Sequence, residues 1–248
     1  MSENSSWTPT ALEVQMALTV VLSDALPERV DACLLHGSPV RSDSLDDRLI
    51  YCAGSRRAVA IDGDTSNMLP GIVYYVLNSL TREDCESKNL AYRGYESWLE
   101  GLLRVGVERG WITTIDPSWN TAIESRNFLT MAQRRGWKKL AIASQPHHQL
   151  RCFLQIIALM PEVGYYPDVY NIIPTPGIPW DFAMVKPVPP GTEGGDVVGT
   201  LREHIEAEHA RLVLYAREPG MKEDGITPEF TRHATIPEMF AYLERRGK

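Results

Sequence analysis

The chain has 248 residues, 44% of them hydrophobic and 23% charged, the composition of a globular protein with a sizeable buried core. Its formal net charge of -7 excludes a broad basic face for phosphate backbones or anionic membranes, so neither nucleic acid nor a membrane is expected as a partner. The four cysteines, Cys33, Cys52, Cys85 and Cys152, form no Cys-x-x-Cys pair, so buried reduced thiols are expected rather than a metal cluster or a disulfide scaffold.

Residues 1–9 lack the basic start and apolar run of a signal peptide, and the most apolar early stretch, residues 17–22, is too short to span a bilayer. A cytoplasmic protein is the expectation. Thr10 and Glu13 have capping-box spacing and open an amphipathic helix to about residue 26, with Leu12, Met16, Leu18 and Leu22 as its apolar positions. Residues 31–35 are a short apolar run that stops at His36, Gly37, Ser38 and Pro39, which reads as a strand followed by a tight loop. Residues 44–60 are helix-like, and residues 72–77 are β-branched and aromatic between turn residues, a buried strand ending at Asn78 and Ser79.

A helical pattern over residues 89–109 carries Leu99, Leu102, Leu103 and Val107, and a strand over 111–115 follows. Thr121 and Glu124 repeat the capping-box spacing and open a helix to about Arg135, which Gly136 closes. Residues 139–143 read as a strand, 147–160 as a helix and 169–173 as a further strand. The Pro- and Gly-rich residues 174–195 form an excursion or lid, followed by helices over 197–215 and 237–246. Alternation of this kind predicts an α/β, Rossmann-like three-layer sandwich with a mostly parallel sheet and a C-terminal helical extension. The expected division is a core over 1–173 and, packed on it, a segment over 174–248.

Four expected strand ends carry polar or turn-forming residues: His36 to Ser38, Asn78 and Ser79, Asp116 to Asn120, and Ser144 to His148. In an open parallel sheet all four lie along one edge, where helix N-termini face a ligand crevice. Each residue also has a plainer reading. Glu124 completes a cap with Thr121, Asn120 favours a turn, His147 and His148 occupy an exposed first turn, and Arg151 is a solvated arginine. His36-Gly37 has too few glycines for a dinucleotide fingerprint, and no phosphate-binding loop, nucleophile elbow or zinc-protease motif is present.

Three stretches together resemble the YdcF-like branch of the SanA/ElyC/YdcF family. They are Leu34 to Gly37, residues 118–127 with Ser118, Asn120, Thr121 and Glu124, and residues 141–151 with Ser144, Gln145, His148 and Arg151. Glu96 falls where the family has a glutamate, whereas Asn78-Ser79 replaces its glycine pair after the second strand and Ser125-Arg126 replaces an Asn-Ala. The resemblance implies a Rossmann-like fold and a nucleotide-like or phosphorylated small ligand, with S-adenosylmethionine the ligand suggested for this branch. It implies no established reaction. Glu124 and His148 are the catalytic candidates and Gly37, Ser38, Asn78, Glu96, Ser118, Asn120, Thr121, Gln145 and Arg151 the candidate ligand contacts, with no metal expected. A phosphate-ester hydrolase, with His148 as acid or base and Arg151 on the phosphoryl oxygens, is one alternative. A ligand sensor without catalysis is the other.

Overall fold

The computed structural model describes residues 8–37, 43–54, 71–88, 90, 92–172, 183–186, 197–215 and 232–247. Five apolar segments, β1 (Arg29–Leu35), β2 (Gly71–Asn78), β3 (Ile112–Ile115), β4 (Lys139–Ala143) and β5 (Asp168–Ile172), form one all-parallel sheet in the order β3-β2-β1-β4-β5. Eight α-helices are described: α1 (Ala11–Leu22), α2 (Asp43–Gly54), α3 (Arg82–Ser87), α4 (Tyr95–Arg104), α5 (Thr121–Arg135), α6 (Pro146–Val163), α7 (Leu201–Tyr215) and α8 (Ile236–Arg245).

Strand residues alternate between the two faces. Ala32, Leu34, Leu140 and Ile142 join Phe128, Phe153 and Met239 in one apolar cluster, while Cys33, Leu35, Ala141 and Ala143 join Leu49, Trp98 and Leu102 in the other. The two clusters make three layers, with α1, α5, α6 and α8 supplying one side and α2, α3 and α4 the other. This is the expected α/β, Rossmann-like sandwich. Each fully buried large apolar side chain stabilises it by about 1.5–3 kcal/mol. The sheet runs outward through β2 to β3, then returns to the far side of β1 with β4. The switch point of the fold is therefore the seam between β1 and β4.

Helix α6 carries its apolar residues all round, as a helix enclosed by neighbours should. It packs against α1, α5, α7 and α8. The edge strand β5 is finished by side chains. Asn171 N–H donates to the Asp24 carboxylate at 3.0 Å, Val169 N–H to the Tyr242 hydroxyl at 2.6 Å, and Arg246 donates to the Val169 carbonyl at 2.8 Å. Arg246 also donates to Asp24.

Several elements differ from expectation. Helix α1 ends at Leu22 and buries Val14, Ala17 and Val21, whereas Leu12, Met16 and Leu22 are exposed. Both faces of α1 are apolar, and the stripe with small Ala17 allows the closer approach to α6. The pattern over 89–109 is interrupted: Gly94, at φ 84°, precedes α4, which stops at Arg104, and a 3₁₀ turn follows at Arg109–Trp111. A Cβ on Gly94 would stand 2.5 Å from the backbone nitrogen of Arg82, so only glycine fits there. Helix α3 was not expected; Thr81 and Asp84 cap it as a capping box with aspartate in the third position. Val197–Thr200 is a strand, β7, paired antiparallel with β6 (Ala183–Lys186), so α7 begins at Leu201. The remainder of 174–195, and residues 55–60 of the expected second helix, lie outside the described residues. Among the described residues, no helix is long and apolar enough to cross a membrane.

Candidate functional site

The last pairing of β1 with β4 is continued by His36, whose backbone N–H donates to the Ala143 carbonyl at 2.9 Å. The ladder thus fixes a histidine at the carboxyl end of the switch-point seam. Its side chain is fully buried, and Nδ1 lies 2.6 Å from Oε2 of Glu124, itself only 4% exposed. Glu124 reaches it from the first turn of α5. That turn is capped by Asn120, whose side-chain oxygen accepts from Ile123 N–H at 3.0 Å, and not by Thr121. The expected Thr121–Glu124 capping box is therefore corrected: Asn120 occupies the cap and Glu124 faces the interior.

On the other side of the seam His148, in the first turn of α6, is also fully buried. Arg151 donates from one terminal guanidinium nitrogen to His148 Nδ1 at 2.9 Å. A guanidinium has only donors, so Nδ1 must hold its lone pair and Nε2 must carry the ring proton. The contact from the same Nδ1 to Glu208 is longer, 3.5 Å, and a proton placed there would oppose Arg151, so the Arg151 bond decides the tautomer. Burial, with the Arg151 charge beside it, pushes His148 down to about 3, leaving a neutral ring at physiological pH.

The Arg151 guanidinium is itself occupied. Its Nε donates to Glu208 Oε2 at 2.6 Å, and Arg211 donates to the same carboxylate. All three side chains are buried. Burial alone would raise the Glu208 carboxyl, but the Arg151 and Arg211 charges hold it well below the usual range.

The rings of His36 and His148 meet edge to face, with centroids 6.4 Å apart. Their Nε2 atoms are both buried and have no hydrogen-bond partner among the described residues. Tyr92 closes the cluster: burial and the Glu124 charge raise its phenol well above the ordinary value, and its hydroxyl donates to the Asn78 carbonyl at 3.0 Å.

The other expected ligand contacts hold the surroundings together. Asn78 binds both the carbonyl and the N–H of Ser118, at 2.6 and 3.0 Å, which ties the end of β2 to the β3–α5 loop. Ser118 Oγ donates to the Asp116 carbonyl and accepts from Asn127. Gln145 donates to Asp46 at 2.9 Å, joining α6 to α2. Glu96 accepts from Arg82 N–H at 3.0 Å, at the start of α3. Gly37 lies under Tyr92, where a Cβ would stand 2.5 Å from a ring carbon. Ser38 lies outside the described residues.

The structure therefore brings Glu124, His148 and Arg151 together, and adds three residues absent from the expected set, His36, Glu208 and Arg211. His36 had a signal, since it is the first polar residue after an apolar strand beside the switch point. Glu208 and Arg211 had none, because only the fold brings α7 against α6. The cysteines offer no nucleophile: all four are buried without disulfides, burial raises Cys85 to about 11, and Cys152 is raised further by the same cause.

No protein-family model matches the chain, and no curated protein is significantly similar to it.

Proposed function

We propose that this chain binds a nucleotide-like or phosphorylated small molecule at the carboxyl ends of β1 and β4, as a protein of the YdcF-like type. One observation carries the reading: a buried carboxylate–imidazole pair, Glu124–His36, stands at the switch point opposite a second buried imidazole of fixed tautomer. Open parallel sheets bind ligands at that place, and isolated polar groups buried there are costly unless they have work to do.

The end of the second strand does not offer S-adenosylmethionine the usual ribose carboxylate. Nucleoside cofactors on such sheets rest their ribose on a carboxylate near the end of the second strand. Here that position is Asn78, and Ser118 and Leu80 occupy both ends of its amide. No step through that group is therefore derived.

A second reading, an enzyme of acid–base chemistry, is favoured over a pure sensor by the Glu124–His36 pair. A carboxylate on Nδ1 orients the ring and stabilises the imidazolium that forms when Nε2 takes a proton. On this reading His36 does the proton work. His148 is held neutral, and Arg151 is turned to Glu208.

Native mass spectrometry of freshly purified protein tests the binding proposal. A co-purifying small molecule that is lost in His36→Asn supports it. A bare chain that binds no nucleoside mono- or diphosphate by calorimetry at millimolar concentration overturns it.

A further inference from the structure

His36 and His148 present chemically complementary ring nitrogens at the carboxyl ends of β1 and β4. Glu124 Oε2, 2.6 Å from His36 Nδ1, accepts the proton on that nitrogen, so the neutral ring presents a lone pair at Nε2. Arg151, 2.9 Å from His148 Nδ1, can only donate, so that ring presents N–H at Nε2. One group is an acceptor, the other a donor, and both are buried without a partner among the described residues. The rings meet edge to face, with centroids 6.4 Å apart.

We propose that His36 and His148 together bind a hydroxyl group of the small molecule, His36 Nε2 accepting its proton and His148 Nε2–H donating to its oxygen. The proposal rests on the β1–β4 crevice being the ligand site.

Other groups match the pair poorly. A phosphate dianion or a carboxylate brings acceptors only, and would set an oxygen lone pair against that of His36 Nε2. Glu208 and His148 already engage the Nε and one terminal nitrogen of Arg151. An ammonium group brings donors only, and opposes the N–H of His148. A metal ion requires a lone pair on each ring, and His148 Nε2 has a proton where that lone pair would be. An alcohol carries one donor and accepting lone pairs on one atom, and an oxygen about 2.8 Å from each nitrogen satisfies both rings. On this proposal the inner end of a nucleotide-like molecule is a sugar hydroxyl, and any phosphate lies further out.

Nitrogen-15 NMR of the histidine rings in the full chain tests this near neutral pH. The expected tautomers are Nδ1–H for His36 and Nε2–H for His148. Adding ribose and the four ribonucleosides should move both Nε2 signals, while inorganic phosphate leaves both in place. His36→Asn keeps an amide N–H for Glu124 but has no Nε2, and should weaken binding of the nucleoside that moves the signals by about tenfold or more, with an unchanged melting temperature. A reversed tautomer, a doubly protonated His36, or phosphate moving the signals in place of the sugars overturns the hydroxyl assignment and leaves the crevice as the ligand site. If none of these probes moves either ring, the hydroxyl assignment falls and the crevice reading falls with it.

Discussion

His36 Nδ1 and Glu124 Oε2 are separated by 88 residues of chain and by 2.6 Å in the fold, which makes this the bond that joins the end of β1 to the start of α5. Because both partners are buried, removing one leaves the other without its match. Glu124→Ala should cost about 2–3 kcal/mol, the range for stranding a buried polar group. Glu124→Gln retains an oxygen for the Nδ1 proton and should cost about 1 kcal/mol. Urea unfolding measures both. A cost near 1 kcal/mol for alanine and none for glutamine would instead mark an ordinary helix cap.

Acid should destabilise the protein below the pH at which a free histidine titrates. His148 is pushed to about 3, by burial and then by Arg151, and His233 to about 4 by burial. The groups facing His148 are Arg151 on its own helix, Glu208 on α7 and His36 after β1. Both imidazoles are depressed in the folded state, so below about pH 6.5 the unfolded chain binds protons that the native chain refuses. Stability is therefore full above that pH and falls towards pH 4. Glu208, also lowered, acts with the same sign at more acid pH. The urea midpoint should drop steadily from pH 7 to pH 5, and His148→Asn, which keeps an acceptor for Arg151, should flatten part of the slope. A midpoint constant over that interval would contradict the assignment.

The Arg151–Glu208 pair should behave as a buried ion pair. Glu208→Ala leaves two buried guanidinium groups facing each other and should cost about 3–5 kcal/mol. Arg151→Lys cannot serve Glu208 and His148 at once, because a point charge lacks the planar fork. A double-mutant cycle between Arg151→Ala and Glu208→Ala should give a coupling above about 1 kcal/mol. Simple additivity would show that the two side chains are merely adjacent.

Gly37 should prove a packing residue beneath Tyr92. Gly37→Ala places a methyl 2.5 Å from Tyr92 Cδ2 and should cost about 1–3 kcal/mol as overpacking. With Tyr92→Ala as the background the same change should cost almost nothing. An equal penalty in both backgrounds, measured by thermal unfolding, would place the strain elsewhere.

Much of the fold was legible in the sequence because five short apolar runs alternate with longer amphipathic ones, and that alternation has one common solution. What was not legible followed from competing local signals. Helix α1 has two apolar faces, and its packing against α6, α8 and β5 selects Val14, Ala17 and Val21 over Leu12 and Met16. Helix α3 hides behind an aspartate in the position where glutamate is the usual sign of a capping box. The site was legible as an edge and not as a set of contacts. The polar strand ends do share one edge of the sheet, but the partner of His36 lies one helix away and that of Arg151 lies on α7. Spacing along the chain carries no trace of either.

The way β5 ends the sheet has a consequence for association. An outermost strand normally exposes a row of unpaired backbone groups on which another chain can add itself. In β5 the outward N–H groups of Val169 and Asn171 and the carbonyl of Val169 are already engaged by Tyr242, Asp24 and Arg246. The two residues that clasp this border, Asp24 and Arg246, are 222 positions apart, so closing it is a long-range event in folding. Until they meet, β5 is an open template, and a chain lacking either one would be drawn towards intermolecular pairing along that border.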